Sequence, residues 1–134
     1  MVVYERPIRF DEVDSARVVF FARYANFSHE AIENFFGDLS GGYPGLVNVR
    51  RIGLPIVHFD ANFRAPLRYG DRLRIHTSCL KVGTTSATFA HEMHNGFSGE
   101  LCVTVRQTVV TVDLDSFRPC PMPHDVRARL AAHT

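Results

Sequence analysis

One carboxylate, Asp14, lies a few residues ahead of a segment with the apolar spacing of a long amphipathic helix. The first turn of a helix carries unpaired backbone N–H groups and a partial positive charge, so it stabilises an oxygen anion without a charged side chain. A carboxylate beside such an amide can hydrolyse an ester or a thioester. An alternative carries equal weight at this point, because Asp residues ahead of a helix often serve as N-caps.

The segment DSARVVFFARY, from Asp14 to Tyr24, resembles the active-site segment of the 4-hydroxybenzoyl-CoA thioesterase family. In that family an Asp is followed by two small residues, a Gly, two or three apolar residues, an aromatic residue or His, and then a Tyr. Asp14 matches the catalytic acid of this pattern. The resemblance continues through the run from Leu54 to Phe63 and the turn APLRYGD, and it extends over residues 8–112.

The resemblance implies the hot-dog fold, an α+β arrangement, and hydrolysis of an acyl-CoA thioester. Asp14 would act as nucleophile or as general base towards water, and both roles stay open because a carboxylate can serve either way. The backbone N–H of Phe21 would hold the developing oxyanion. Ser15, Arg17 and Phe20 would contact the substrate.

By the same resemblance the substrate pocket lies between two subunits, and Leu54 and His58 of a partner chain complete it. A homodimer is then the smallest assembly, and a homotetramer is expected. Arginines near the subunit boundary would meet the coenzyme A phosphates, although solvated surface charge is the commoner role for any one of them. The candidates are Arg64, Arg68 and Arg72.

Three positions depart from the family pattern. Arg17 replaces the usual Gly, so the turn after Asp14 must adopt a conformation that a side-chain residue tolerates, or differ in geometry. Phe21 stands where relatives carry His or Tyr, which removes a side-chain donor but keeps the backbone amide. His29 occupies the place of a common helix acid, and Glu30 follows it.

Two other functions compete with acyl-CoA hydrolysis. Hydrolysis of an acyl chain on a carrier protein uses the same site and differs only at its rim. A non-catalytic hot-dog module that binds acyl-CoA or serves as a scaffold belongs to another class; Asp14 argues against it and Arg17 argues for it. Among acyl-CoA substrates, aromatic groups such as hydroxybenzoyl are slightly favoured, because Phe20 and Phe21 can flank a ring.

Composition limits the partners of the chain. Its 134 residues, 46% hydrophobic and 22% charged, suit one domain over residues 1–134. A net charge of +1 gives no reason to expect nucleic-acid or membrane binding. Three scattered cysteines predict neither a disulfide framework nor a zinc motif, and from the first residues we expect no leader. We expect a cytoplasmic enzyme with no metal and no cofactor beyond the coenzyme A of its substrate.

The elements that position Asp14 follow from periodicity. Residues 2–10 predict an edge or first strand broken at Pro7. A helix is expected from near Phe21 to just before Gly37, with apolar groups on both sides, so a sheet should wrap it. After a Gly-rich connection the sequence predicts strands near residues 52–64, 72–82, 85–95 and 100–113, and a short helix at 124–132. The alternation from Leu73 to Cys79 indicates a sheet with one dry face for the helix.

Two other groups of residues resemble a catalytic triad and a zinc motif, but their geometry excludes these roles. Ser28, His29 and Glu30 have the residue types of a hydrolytic triad, but consecutive helix residues point about 100° apart. His91 and His94 lack the spacing of a zinc-protease motif, and on a strand they face opposite sides of the sheet.

Overall fold

An antiparallel sheet curls around one long helix in the computed structural model, which describes residues 1–134. The elements in chain order are β1 (Val2–Pro7), a 3-10 turn (Phe10–Glu12), α1 (Arg23–Phe35), α2 (Gly42–Pro44), a π-helical turn (Gly45–Val49), β2 (Ile52–Gly53), β3 (Ile56–Phe63), β4 (Arg72–Val82), β5 (Ser86–Asn95), β6 (Leu101–Val110), β7 (Val112–Asp113), β8 (Arg118–Pro119) and α3 (His124–Ala131). The main sheet has the order β1-β4-β5-β6-β3, and β2, β7 and β8 form a small second sheet. This is the α+β hot-dog arrangement that the resemblance implies.

Helix α1 is buried against the inner face of the main sheet because apolar side chains recur along it at helical spacing. Its first half packs against Leu73 and Ile75 of β4, through Tyr24, Phe27 and Ala31. Its second half packs in another apolar cluster that includes the buried side of α3. The helical spacing and the dry face of β4 are confirmed. None of the helices is long and apolar enough to cross a membrane.

The predicted strand over residues 52–64 is wrong, because two strands occupy it. β2 pairs with β7 in the small sheet, and β3 pairs with β6 in the main sheet. Pro55 lies between them and has no N–H to donate to a ladder, which favours a break there. The Gly-rich connection after α1 contains α2 and the π-helical turn, which follow Gly41, whose φ is 77°.

The predicted start of α1 near Phe21 is two residues too early. The helix begins at Arg23, and its N-cap, Ala22, offers no side-chain hydrogen bond. The Arg23 N–H donates to the carbonyl oxygen of Phe20, three residues earlier, at 2.9 Å. This is the hydrogen bond of a turn and not of an α-helix. Phe21 therefore lies on the connection that leads into the helix.

Three polar side chains form a hydrogen-bonded row across the inner face of the sheet. His91 of β5 is fully buried, with Nδ1 2.8 Å from Thr77 Oγ1 and Nε2 2.9 Å from Gln107 Oε1. A neutral ring satisfies both contacts, since Nε2–H donates to the amide oxygen and Nδ1 accepts from the hydroxyl. Burial lowers the pKa of His91 to about 4, against the opposing effect of the Gln107 hydrogen bond.

A tight turn follows Asp14 and reverses the chain towards α1. The Arg17 N–H donates to the Asp14 carbonyl oxygen at 2.9 Å, and the Asp14 N–H donates to the Val18 carbonyl oxygen at 3.0 Å. Arg17 has a φ of 65°, in the left-handed region that Gly adopts without steric cost. The position where the resemblance implies Gly thus has the backbone conformation that favours Gly, although Arg occupies it.

We expect the free energy of unfolding to fall as the pH drops from 6.5 to about 4, the unfolded and folded pKa values of His91. In this pH range His91 is protonated in the unfolded chain but not in the folded chain, so protonation stabilises the unfolded state. The loss is at most about 3 kcal/mol, at about 1.4 kcal/mol per pH unit. Urea unfolding at pH 7 and pH 5 should show a smaller loss for His91→Gln than for the wild type. An equal loss would contradict the assignment to His91.

Replacing Arg17 by Gly should raise the free energy of unfolding by about 0.5–1 kcal/mol. The left-handed conformation costs an L-residue about 1–2 kcal/mol, and the greater freedom of an unfolded Gly offsets part of the gain. Arg17→Ala is the matched control, since Ala removes the same side chain and keeps the strain. Urea unfolding of the three proteins measures the differences. A Gly variant no more stable than the Ala variant would show that the turn is unstrained.

Candidate active site

Asp14 lies in the exposed turn, and the chain engages its carboxylate only in part. Oδ1 accepts the Ala16 N–H at 2.8 Å, which closes the turn, whereas Oδ2 accepts no hydrogen bond within the chain. Helix α1 begins nine residues later with Ala22 as its N-cap. The capping alternative is therefore wrong for α1. Asp14 caps its own turn, and one carboxylate oxygen is left for a reactant or a water molecule.

Two backbone N–H groups between the turn and α1, those of Phe21 and Ala22, have no acceptor in the chain. The preceding amide is occupied, because the Phe20 N–H donates to the Glu12 carbonyl oxygen at 3.0 Å. No side chain caps the first turn of α1 either, so the positive end of the helix dipole remains uncompensated there. An oxyanion placed at this point meets free donors and a favourable potential.

An open depression of about 310 Å³ lies beside Phe21. The residues around it are Val18, Val19, Phe21, Tyr24, Phe63, Arg64, Ala65 and Pro66. The Tyr24 and Phe63 rings meet edge to face at 5.4 Å, and burial raises the pKa of Tyr24 to about 12, so its hydroxyl stays protonated. Apolar side chains form most of the border of the depression, with one guanidinium, that of Arg64, among them.

A larger concavity of about 480 Å³ lies on the outer face of the main sheet. Charged side chains border it, among them Asp60, Glu92 and Arg106. No residue of the segment from Asp14 to Tyr24 reaches it. The smaller depression is the one that adjoins the predicted site, because Phe21, whose N–H is free, lines it together with Val18 and Val19 from the segment that follows Asp14.

The other predicted substrate residues lie in three places. Ser15 and Arg17 are exposed in the turn, and the Phe20 ring packs on Phe21 with the ring centres 4.9 Å apart. Leu54 packs against the cluster that includes α3. His58 is exposed on β3, with Nε2 2.9 Å from Asp60 Oδ2. Neither Leu54 nor His58 borders the depression of its own chain, so their predicted role needs a second chain.

The candidate arginines for coenzyme A differ in what they already bind. The Arg72 side chain pairs with Glu5 at 3.3 Å. Arg68 is exposed, and its backbone N–H donates to Asp71 Oδ2 at 2.8 Å. Arg64 borders the depression, and its side chain makes no hydrogen bond or ion pair within the chain. Arg64 is therefore the best placed of the three to meet a negative charge on a ligand.

A buried ion pair that the sequence does not predict lies beside the turn. Arg6 of β1 donates from Nη1 and Nη2 to the two carboxylate oxygens of Glu12, at 2.9 and 2.8 Å. Burial opposes ionisation of Glu12, but the hydrogen bonds from Arg6 and from the Arg9 N–H outweigh it and hold the pKa of Glu12 below its usual value. The sequence does show an acid, Glu12, two residues ahead of Asp14. Its partner, Arg6, can be identified only from the fold, which brings β1 and the turn together.

Comparison with known proteins connects this chain to a family. A family model described as thioesterase-like superfamily matches residues 8–130. A 1,4-dihydroxy-2-naphthoyl-CoA hydrolase of Synechocystis sp. is 26% identical over 120 residues, which are 90% of this chain and 87% of that protein.

Two solved structures give the same result at the level of the fold. A gentisyl-coenzyme A thioesterase is 28% identical with a TM-score of 0.84, covering 94% of this chain and 99% of that one. A thioesterase-superfamily protein from Jannaschia sp. CCS1 has a TM-score of 0.90 at 25% identity, covering 98% of this chain and 92% of that one. The family relationship inferred from the segment after Asp14 is confirmed, and the chain belongs to the thioesterase-like superfamily.

Proposed function

We propose that this thioester hydrolase cleaves an acyl-CoA with a small aromatic acyl group, with Asp14 as nucleophile or general base and the Phe21 N–H as oxyanion donor. One observation carries the proposal: a free carboxylate oxygen and a free backbone amide occupy the same short connection, beside an apolar depression. The names of two relatives, a dihydroxynaphthoyl-CoA hydrolase and a gentisyl-coenzyme A thioesterase, support an aromatic acyl group.

The reaction follows from these groups. The thioester carbonyl oxygen accepts a hydrogen bond from the Phe21 N–H, which stabilises the oxyanion by about 3 kcal/mol, the scale of one such donor. Asp14 either attacks the carbonyl carbon, giving an anhydride that water then opens, or takes a proton from a water molecule that attacks. On both routes the C–S bond breaks and the coenzyme A thiolate takes up a proton. The oxygen from water ends in the product acid when water attacks the acyl carbon, whereas attack on the Asp14 carbon of the anhydride would leave that oxygen in Asp14.

The acyl specificity rests on the walls of the depression. Phe21, Tyr24 and Phe63 present ring surfaces to it, which favours a flat aromatic group over a short aliphatic chain. Arg64 at its border would meet a coenzyme A phosphate or an oxygen substituent of the ring. A carrier protein in place of the nucleotide would use the same chemistry and differ only at this border.

The working assembly is a homodimer at least, and a homotetramer by the resemblance. β3 is an edge strand of the main sheet, and it exposes four large apolar side chains, Ile56, Val57, Phe59 and Phe63. An exposed apolar edge strand is a template for pairing with another chain. A second copy of β3 would cover these side chains and bring Leu54 and His58 of the partner chain towards the depression.

The proposed reaction needs no separate cofactor, because coenzyme A arrives as part of the substrate and the carboxylate, the amide and water complete the chemistry. The three cysteines are free thiols, and Cys79 and Cys102 are buried among apolar residues. This cysteine usage is consistent with our proposal that the enzyme acts in the reducing cytoplasm.

Asp14→Asn should lower kcat at least a hundredfold on an aromatic acyl-CoA, because the amide has the same shape but cannot act as nucleophile or base. Release of the coenzyme A thiol over a panel of aromatic and aliphatic acyl-CoAs measures it, and the same panel identifies the acyl preference. Acyl-CoA binding and urea unfolding should stay close to those of the wild type. A variant that keeps more than about a tenth of the wild-type rate would remove Asp14 from the chemistry.

Val57→Lys should weaken or abolish self-association, because a charge on an exposed edge strand opposes pairing. Val3→Lys is the matched control, since it places the same change on β1, the other edge of the main sheet. Light scattering should give at least twice the 15.1 kDa chain mass for the wild type and for the control. A fully active wild-type monomer would contradict both the assembly and the shared pocket.

A further inference from the structure

Arg6 is a buried cation that joins three parts of the fold. It is 6% exposed and lies on β1, and its guanidinium binds Glu12 at the start of the turn through both Nη atoms. Its Nε lies 3.0 Å from Glu30 Oε1 on α1, and that oxygen also accepts the Tyr4 hydroxyl at 2.7 Å. Its central carbon, Cζ, lies over the ring of Phe27, 4.5 Å from the ring centre. All three donor nitrogens of Arg6 thus have partners.

Such a group is poorly explained by stability alone. Taking two charges out of water costs several kcal/mol each, and well-packed apolar residues of similar volume often stabilise a fold as much or more. What the pair does provide is orientation, because a bidentate arginine–carboxylate contact fixes distance and direction together. Glu12 is held especially firmly, since its Oε1 also accepts the Arg9 N–H at 2.7 Å.

The backbone of Glu12 connects this fixed side chain to the site. Its carbonyl oxygen accepts the Phe20 N–H at 3.0 Å, and the next pair of residues forms an antiparallel β-bridge. Asp14 is two residues beyond Glu12 on one arm of the loop, and Phe21 is one residue beyond Phe20 on the other. Only a few rotatable backbone bonds therefore separate the hydrogen-bonded residues Glu12 and Phe20 from Asp14 and Phe21.

We propose that the Arg6–Glu12 pair is the positioning element of the active site, holding the Asp14 carboxylate and the Phe21 N–H in register with each other across the loop. The inference rests on the proposed function of these two groups. Arg6 and Glu12 are buried and act through the loop rather than on the substrate. We call the Arg6–Glu12 pair the clamp. A displacement of about 1 Å at a reacting group can lower the rate a hundredfold, so loosening the clamp should lower kcat.

Glu12→Gln tests the clamp with a minimal change of shape. One carboxylate oxygen becomes an NH2 group that faces an N–H of either Arg6 or Arg9, so at least one of the three hydrogen bonds is lost. We expect kcat to fall tenfold or more and KM to change less than about twofold, because the reacting groups move while the pocket walls remain. A purely structural role would leave the kcat of the folded fraction unchanged.

The C-terminal part of the chain offers a matched control. Arg50 donates to Asp125 from Nη1 and Nη2 at 2.7 and 2.8 Å, the same bidentate contact on an exposed surface. Asp125→Asn therefore makes the same acid-to-amide change and should keep the wild-type kcat. Val126→Ala, on the buried side of α3, controls for a general loss of stability and should also keep the wild-type kcat below its unfolding temperature.

The outcomes separate the inference from the proposed function. A low kcat for Glu12→Gln with normal controls supports the clamp, and a normal kcat for folded Glu12→Gln overturns it. If Glu12→Gln does not fold, Arg6→Lys decides in the same way, because it keeps the charge and loses the bidentate contact. An active Asp14→Asn would instead reject the proposed function, whereas an inactive Asp14→Asn beside a normal Glu12→Gln would reject the clamp alone.

Discussion

Helix α1 carries apolar side chains on two sides, and one antiparallel sheet has to cover both. The sheet does so by curling, so that the alternating inner residues of β4 and β5 meet the helix along its length. The curled sheet does not close on itself, so its terminal strands, β1 and β3, each lack a neighbour on one side. The same packing therefore buries the helix, fixes where its N-terminus lies, and creates the edge that a second chain can cover.

The start of α1 breaks a local rule of helix formation. Its N-cap is Ala22, one of the weaker capping residues, and the amides ahead of the helix find no acceptor in the chain. A Ser or Asp in that place would accept the N–H of Tyr24 or Ala25 and bring an oxygen to the helix end, which would oppose an oxyanion bound there. Local rules are broken most often at functional sites, where the unsatisfied group itself is used. The free Phe21 amide fits that description.

The parts of the fold that could be predicted are those set by periodicity. The burial of Tyr24 and Phe27 follows from helical spacing, and the dry face of β4 follows from alternation. The break at Pro55 and the exact helix start depend on hydrogen bonds that periodicity does not report. The Arg6–Glu12 contact was beyond reach for another reason: the two residues lie close in sequence, but on a strand and a turn whose relative placement is tertiary.

At Arg17 the turn keeps the backbone conformation that favours glycine, although the residue type differs. An arginine stands where the resemblance implies a glycine, and this difference argued for a non-catalytic protein. The φ of 65° shows that the backbone takes the conformation that favours glycine in spite of the side chain. The turn is also closed by two backbone hydrogen bonds between Asp14 and the residues that follow it. Because backbone hydrogen bonds close the turn whatever side chain residue 17 carries, a substitution at this exposed position can alter contacts with a substrate while leaving the proposed hydrolytic arrangement in place.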